Sequence, residues 1–245
     1  MIEKTVEIAT RDGSCTTFIA HPDRDGPHPP VLFYMDAPAI REELRDMARR
    51  LASAGYYVML PNLYYRSGVL ELPIQGFGAD APWRAQMVEL MESLTIAKIM
   101  SDSDAFVAYI DADRAAKPGK MGTMGYCMSG QYAINSAARY PDRVAAAASL
   151  YGVLLMTDSG DSPHLMARKA KGELYFACAE TDRWAPLEMV EALRADLAAN
   201  KVNAEVELYP GTEHGFGFPQ RPAYHKAAAE RHWCRLHALF RRNLY

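Results

Sequence analysis

The chain of 245 residues contains no apolar run near the roughly 20 residues that cross a bilayer, so no membrane association is expected. It also has no basic tract, and a net charge of −3 gives no electrostatic reason to expect nucleic acid as a partner. Cysteine is scarce: Cys15, Cys127, Cys178 and Cys234 stand far apart without C-x-x-C spacing. That argues against a zinc site and against a disulfide-stapled secreted domain, so no metal is expected. The first residues, Met1-Ile2-Glu3-Lys4-Thr5-Val6-Glu7, have neither the apolar stretch nor the small-residue cleavage site of a secretory signal. Free thiols in a reducing cytoplasm fit these absences. Internal repeats, low-complexity tracts and linkers are missing as well, which predicts a single domain over residues 1–245.

What is present is an ordinary globular composition, 49% hydrophobic and 23% charged, at a length that supports a substantial core. Residues 3–9 and 14–20 alternate around Arg11-Asp12-Gly13 and read as an antiparallel hairpin with Cys15 as a structural thiol. The Pro-rich connection that follows carries His21 and His28, expected to be solvated. Val31–Met35 is a continuous apolar run typical of a strand covered on both faces. A helix with Leu44, Met47, Ala48, Leu51 and Ala52 on one face comes next, then a strand at Tyr56–Pro61. This β–α–β rhythm predicts an α/β fold with a mostly parallel sheet. Residues 62–82 read as a long functional loop, 84–112 as one or two helices, and 153–171 as a surface excursion. Strands at 144–150, 173–179 and 204–209, a helix at 187–199 and a closing helix bearing Ala229, Trp233, Leu236 and Phe240 complete the pattern.

The stretch Met121-Gly122-Thr123-Met124-Gly125-Tyr126-Cys127-Met128-Ser129-Gly130-Gln131 reads as a short strand, a tight turn with Cys127 at its apex, and a helix. Small residues flank the cysteine where larger ones would collide, which is the mechanical logic of the nucleophile elbow. An acyl-transfer nucleophile needs a base and a group that orients the base. Asp182 and His214 follow Cys127 in that order, each just beyond a predicted strand, so all three should project from one end of a parallel sheet. Taken singly, each has a plainer reading: Cys127 as a packed thiol, Asp182 as a helix N-cap and His214 as a loop histidine. Glu180 and Glu213 compete for the role of acid, Ser129 for that of nucleophile and His164 for that of base.

With these residues the chain resembles the dienelactone hydrolase family, a branch of the α/β-hydrolase fold with a Cys–His–Asp triad and no large cap domain. The family motif G-x-C-x-G-G appears as Gly125-Tyr126-Cys127-Met128-Ser129-Gly130, with Ser129 in place of the first glycine. The likeness extends to the His214-Gly215-Phe216 turn and the Pro61-Asn62-Leu63-Tyr64 segment. It implies a carboxylate that modulates the thiol, here the shorter Asp36. It also implies an arginine four residues after the histidine to hold a substrate carboxylate. That position is Phe218, and the nearest arginine is Arg221. Arg84 is the candidate for a second carboxylate-binding arginine, and Tyr151 a further candidate substrate contact. The fold's usual oxyanion donors would be the backbone N–H groups of Met128 and Ala37.

The expected activity is therefore hydrolysis of an ester or lactone through a Cys127 thioester, with His214 as base, Asp182 orienting it and no cofactor. The expected partner is a small-molecule substrate, and the protein a monomer or small homo-oligomer. The alternative is a non-catalytic small-molecule binding protein that retains the fold. A nicotinamide enzyme is disfavoured, since Gly119, Gly122 and Gly125 lack G-x-G-x-x-G spacing and do not follow the strand.

Overall fold

The structure is a computed structural model that describes residues 1–78 and 80–245. Ala79, within the stretch read as a long loop, lies outside the described residues. The chain divides into two compact units, Met1–Gly119 and Lys120–Tyr245.

The first unit opens with the expected hairpin, β1 (Ile2–Thr10) and β2 (Gly13–His21), paired antiparallel from Ile2 opposite His21 to Thr10 opposite Gly13. β3 (Pro30–Tyr34) and β4 (Tyr57–Pro61) pair in parallel, and β4 also pairs antiparallel with β2, giving the order β1-β2-β4-β3. Every residue of β3 and β4 is buried, as their unbroken apolar sequences require. α1 (Glu42–Ser53) lays Leu44, Met47, Ala48, Leu51 and Ala52 against β2 and β4. Each larger side chain on that stripe contributes about 1.5–3 kcal/mol by leaving water.

The region 84–112 resolves into two helices, α2 (Trp83–Glu92) and α3 (Ile96–Ala112). Thr95 caps α3 by accepting a hydrogen bond from Lys98 N at 3.2 Å. The loop at 62–82 begins as a pinned segment, with Leu63 and Tyr64 buried. Arg66 donates to both oxygens of the buried Asp102 on α3 at 2.8 and 2.7 Å, and Tyr65 Oη adds a bond at 2.9 Å.

The expectation for His21 and His28 is corrected. Both are buried, with the His21 ring stacked on Tyr57 at 5.7 Å and 6.0 Å from His28. His21 closes β2, and the His28 backbone is tied to residues 115 and 117 by bonds of 2.8 and 2.7 Å. A histidine in a proline-rich stretch reads as solvated until the partners that cover it, distant in sequence, are known.

The second unit holds β5 (Met121–Tyr126), α4 (Gly130–Arg139), β6 (Val144–Leu150), α5 (Pro163–Ala167) and β7 (Glu173–Thr181). It ends with α6 (Leu187–Ala199), β8 (Ala204–Glu213) and α7 (Lys226–Leu244). Its strands are all parallel in the order β5-β6-β7-β8, with Gly125 beside Ser149, Ala148 beside Tyr175 and Phe176 beside Val206. β8 runs four residues past its expected end, through Pro210 and Gly211, because pairing with β7 resumes at Thr181 and Glu213 after an irregularity. The excursion at 153–171 is only partly at the surface: Leu155, Ser162 and Ala167 are buried, and α5 packs on α4.

Candidate active site

β5 ends at Tyr126, Cys127 begins a single 3-10 turn, and α4 starts at Gly130. Cys127 has φ 55°, a left-handed conformation that costs a non-glycine residue about 1–3 kcal/mol. The glycines around it are sterically required. A Cβ on Gly125 would lie 2.2 Å from Ser129 O, and one on Gly130 would lie 2.3 Å from Ser149 Oγ. The turn thus closes only with bare backbone at both positions, and it leaves Cys127 partly exposed at the amino end of α4. Free N–H groups there favour negative charge. Cys127 O is fixed by Val153 N at 3.2 Å, and Met128 O accepts Gln131 Nε2 at 2.9 Å.

The parallel register of this unit carries the carboxyl ends of β5, β7 and β8 to one edge of the sheet. Asp182 follows β7 and His214 follows β8. His214 Nδ1 and Asp182 Oδ2 are 2.6 Å apart, with the Asp182 side chain fully buried. The other carboxylate oxygen, Oδ1, accepts Trp184 N at 2.9 Å and Ala185 N at 3.3 Å. Asp182 is not the N-cap of α6, a position held by Pro186; it closes the turn before that helix with one oxygen and meets the His214 ring with the other. The His214 side chain also hydrogen-bonds with Cys127. Burial opposes a charge on the ring, but the negative charge of Cys127 and the bonds to Asp182 and Cys127 outweigh it, so the imidazole is pushed up to about 10 from an ordinary 6.5. A histidine so placed retains its proton well above the ordinary range, beside the Cys127 side chain.

The competing groups are placed elsewhere. Glu180 accepts Gly211 N at 2.8 Å, Glu213 is exposed, His164 Nδ1 pairs with Ser162 Oγ at 2.8 Å, and Ser129 is fully buried. Among the other cysteines, burial pushes the Cys15 and Cys178 thiols up to about 12, which keeps them protonated and inert. Cys234 is exposed.

Tyr151 is brought to the histidine. Its ring lies 5.1 Å from His214 in an edge-to-face contact, and its own backbone has φ 36°. Phe218, the predicted substrate-contact position, is fully buried, 5.1 Å from Tyr126 and 6.1 Å from Tyr151. The turn from Phe218 to Arg221 folds the arginine back, so its guanidinium stacks over Phe218 at 4.7 Å. Arg221 Cδ would be 3.0 Å from a Cβ on Gly215, the residue beside His214, and Gly215 itself has φ +94°. The positive φ is what favours glycine there, since the arginine side chain can shift slightly.

Asp36, Ala37 and Arg84 belong to the first unit. Asp36 is fully buried and gripped by Arg41 at 2.6 and 3.2 Å, while Arg41 also donates to Glu43 at 3.1 and 2.9 Å. Burial of Arg41 works against its charge, yet the two carboxylates hold the guanidinium protonated. Ala37 O accepts Tyr64 Oη at 2.9 Å. Arg84 donates to Gly78 O at 2.7 Å and Phe77 O at 2.9 Å and stacks on Trp83. Sequence reasoning missed the Arg41 grip on Asp36, for which an arginine five residues on was the one available signal. It also missed Tyr126 and His232, which are bonded at 2.8 Å across more than a hundred residues and carry no local signature. Among the described residues no group of three or more His, Cys, Asp or Glu side chains could hold a metal ion. No helix among them is long and apolar enough to cross a membrane.

Residues 15–244 match the model of the dienelactone hydrolase family. A protein of Escherichia coli named "Putative carboxymethylenebutenolidase" is 30% identical, over 94% of this chain and 83% of that one. A protein of Methylorubrum extorquens with the same name is 29% identical, over 98% of this chain and 81% of that one. The crystal structure of a "Putative Dienelactone Hydrolase" from Klebsiella pneumoniae superposes with a TM-score of 0.84 at 28% identity, covering 98% of both chains. A dienelactone hydrolase-like promiscuous phosphotriesterase from metagenomic libraries shares the fold at a TM-score of 0.78 and 19% identity, over 100% of both chains.

Proposed function

Because this chain belongs to the dienelactone hydrolase family, with an α/β-hydrolase fold, we propose that it cleaves a carboxylic ester or lactone through a thioester on Cys127. The observation that carries this reading is the linked trio of Cys127, His214 and Asp182, with His214 bonded to both of the others. The Cys127 sulfur attacks the carbonyl carbon while His214 holds the thiol proton, and charge builds on the carbonyl oxygen. The Met128 N–H, at the start of the turn into α4, is a donor for that oxyanion. When the tetrahedral intermediate collapses, the C–O bond breaks and the His214 proton passes to the leaving oxygen. In a lactone the alcohol so formed stays attached to the acyl group. A water then gives its proton to His214 and adds to the thioester, and Cys127 departs with the free acid released. Asp182 keeps the ring in the orientation and tautomer that both proton transfers need.

The substrate is a small molecule. Arg221, folded back beside Gly215, is the candidate for holding a substrate carboxylate in place of the arginine that Phe218 has replaced. The near-complete coverage of the Klebsiella structure supports reading residues 1–245 as one catalytic domain. Unbridged cysteines support a reducing compartment such as the cytoplasm.

The deciding experiment follows an activated ester by mass spectrometry after rapid acid quench. An acyl adduct on the peptide containing Cys127, lost in Cys127→Ala together with turnover, is expected. Wild-type turnover by Cys127→Ala would sink the mechanism.

A further inference from the structure

Behind the Cys127–His214 pair lies a buried layer of rings that the proposed chemistry does not use directly. Tyr126, the residue before Cys127, is fully buried, and so is His232 on α7. Tyr126 Oη and His232 Nε2 are 2.8 Å apart. Tyr126 also packs on Tyr151 at 5.4 Å and on Phe218 at 5.1 Å, and Tyr151 in turn lies 5.1 Å from His214. The His232 ring meets Phe216 edge-on at 5.9 Å, and a Cβ on Gly217 would come within 3.2 Å of its Cε1. One bond therefore joins the strand that ends at the nucleophile to the helix on which the loop of the base rests.

A phenyl pair could fill this space without desolvating a hydroxyl and an imidazole. A hydrogen bond differs from such packing in being directional. It fixes the rotation of the Tyr126 ring and the seat of His232, and so the rings stacked on each. We propose that His232 and Tyr126 form a positioning pair that aligns Cys127 with His214. This rests on the reading of Cys127 as the nucleophile. The pair acts through the backbone of residue 126 and through Tyr151, Phe216 and Gly217, and neither member touches substrate.

The test uses the full chain carrying Tyr126→Phe, His232→Phe, both together, or His232→Gln. Two rates are measured: turnover of p-nitrophenyl acetate, and alkylation of Cys127 by iodoacetamide. Tyr126→Phe removes one oxygen and is expected to leave the melting temperature within a few degrees of wild type. It should lower kcat about tenfold with KM little changed, because the loss is of alignment and not of binding. Alkylation of Cys127 should slow in parallel. The double variant should be no worse than the poorer single, since both remove the same bond, and His232→Gln, which keeps a polar group, should recover most of the rate. Wild-type kcat and alkylation in Tyr126→Phe would overturn the proposal, as would losses that multiply in the double variant. If the wild-type protein hydrolyses no ester, that result counts against the proposed function, and alkylation still reads the pair.

Discussion

The three side chains of the site are each held by something that a simple substitution exposes. Asp182 divides its oxygens between a turn and His214, so Asp182→Asn keeps the turn-forming oxygen but presents an amide to the ring. The expected result is a loss of about a hundredfold or more in kcat with a small change in stability, measured by steady-state kinetics and urea unfolding. The charge of Cys127 is the largest influence raising His214 to about 10. The wild-type ring should therefore keep its proton until the pH rises through about 10. In Cys127→Ala the proton should be lost at a clearly lower pH, toward the ordinary value of 6.5. The imidazole proton resonances followed against pH check this, and an unmoved titration would show that Cys127 does not hold the His214 proton. At the same scale, Asp36 has Arg41 as its partner across both oxygens, a contact that the position of the aspartate alone could not reveal.

The elbow is the element whose geometry is most tightly determined. A methyl group on Gly125 would strike backbone, which cannot swing away as a side chain can. Gly125→Ala is expected to cost about 3 kcal/mol and to abolish turnover. Gly160→Ala, with nothing within 4 Å of the new carbon, should change stability by no more than about 0.5 kcal/mol. Urea midpoints of the two variants test the contrast. The connection between β2 and β3 invites a second test. Burial, then the neighbouring His21, lowers the pKa of His28, with Asp25 opposing and Tyr57 stacked on His21. The unfolded chain thus binds a proton that the folded one resists, so stability is lost as the pH falls below about 6.5. His28→Gln should flatten that loss between pH 7 and 5, as read from urea midpoints.

Across the whole molecule the four cysteines should separate by reactivity. Peptide mapping after iodoacetamide should find Cys127 modified first, Cys234 at the rate of an ordinary exposed thiol, and Cys15 and Cys178 only in urea. Equal labelling of all four in the native protein would contradict the burial of Cys15 and Cys178 and the role proposed for Cys127. Much of this was legible in advance, because the signals are local. The spacing of Gly125, Cys127 and Gly130 is a steric demand within six residues, alternation marks the first hairpin, continuous apolar runs mark β3 and β4, and helical periodicity marks α1 and α7. The order of Cys127, Asp182 and His214 predicts one sheet edge, given parallel strands. Where the reading went astray, at His21, His28, the end of β8 and the buried part of 153–171, the deciding contacts come from far along the chain.

By itself the sequence determined the elbow and the α/β pattern, consequences of backbone sterics and burial periodicity, and it carries Cys127, Asp182 and His214 in that order. Tertiary structure decided which acid faces His214, that Phe218 is buried while Arg221 folds back beside Gly215, and that His232 sits behind Tyr126. Those are outcomes of packing between elements, where hydrogen-bond distance and excluded volume, and not spacing along the chain, choose the partners.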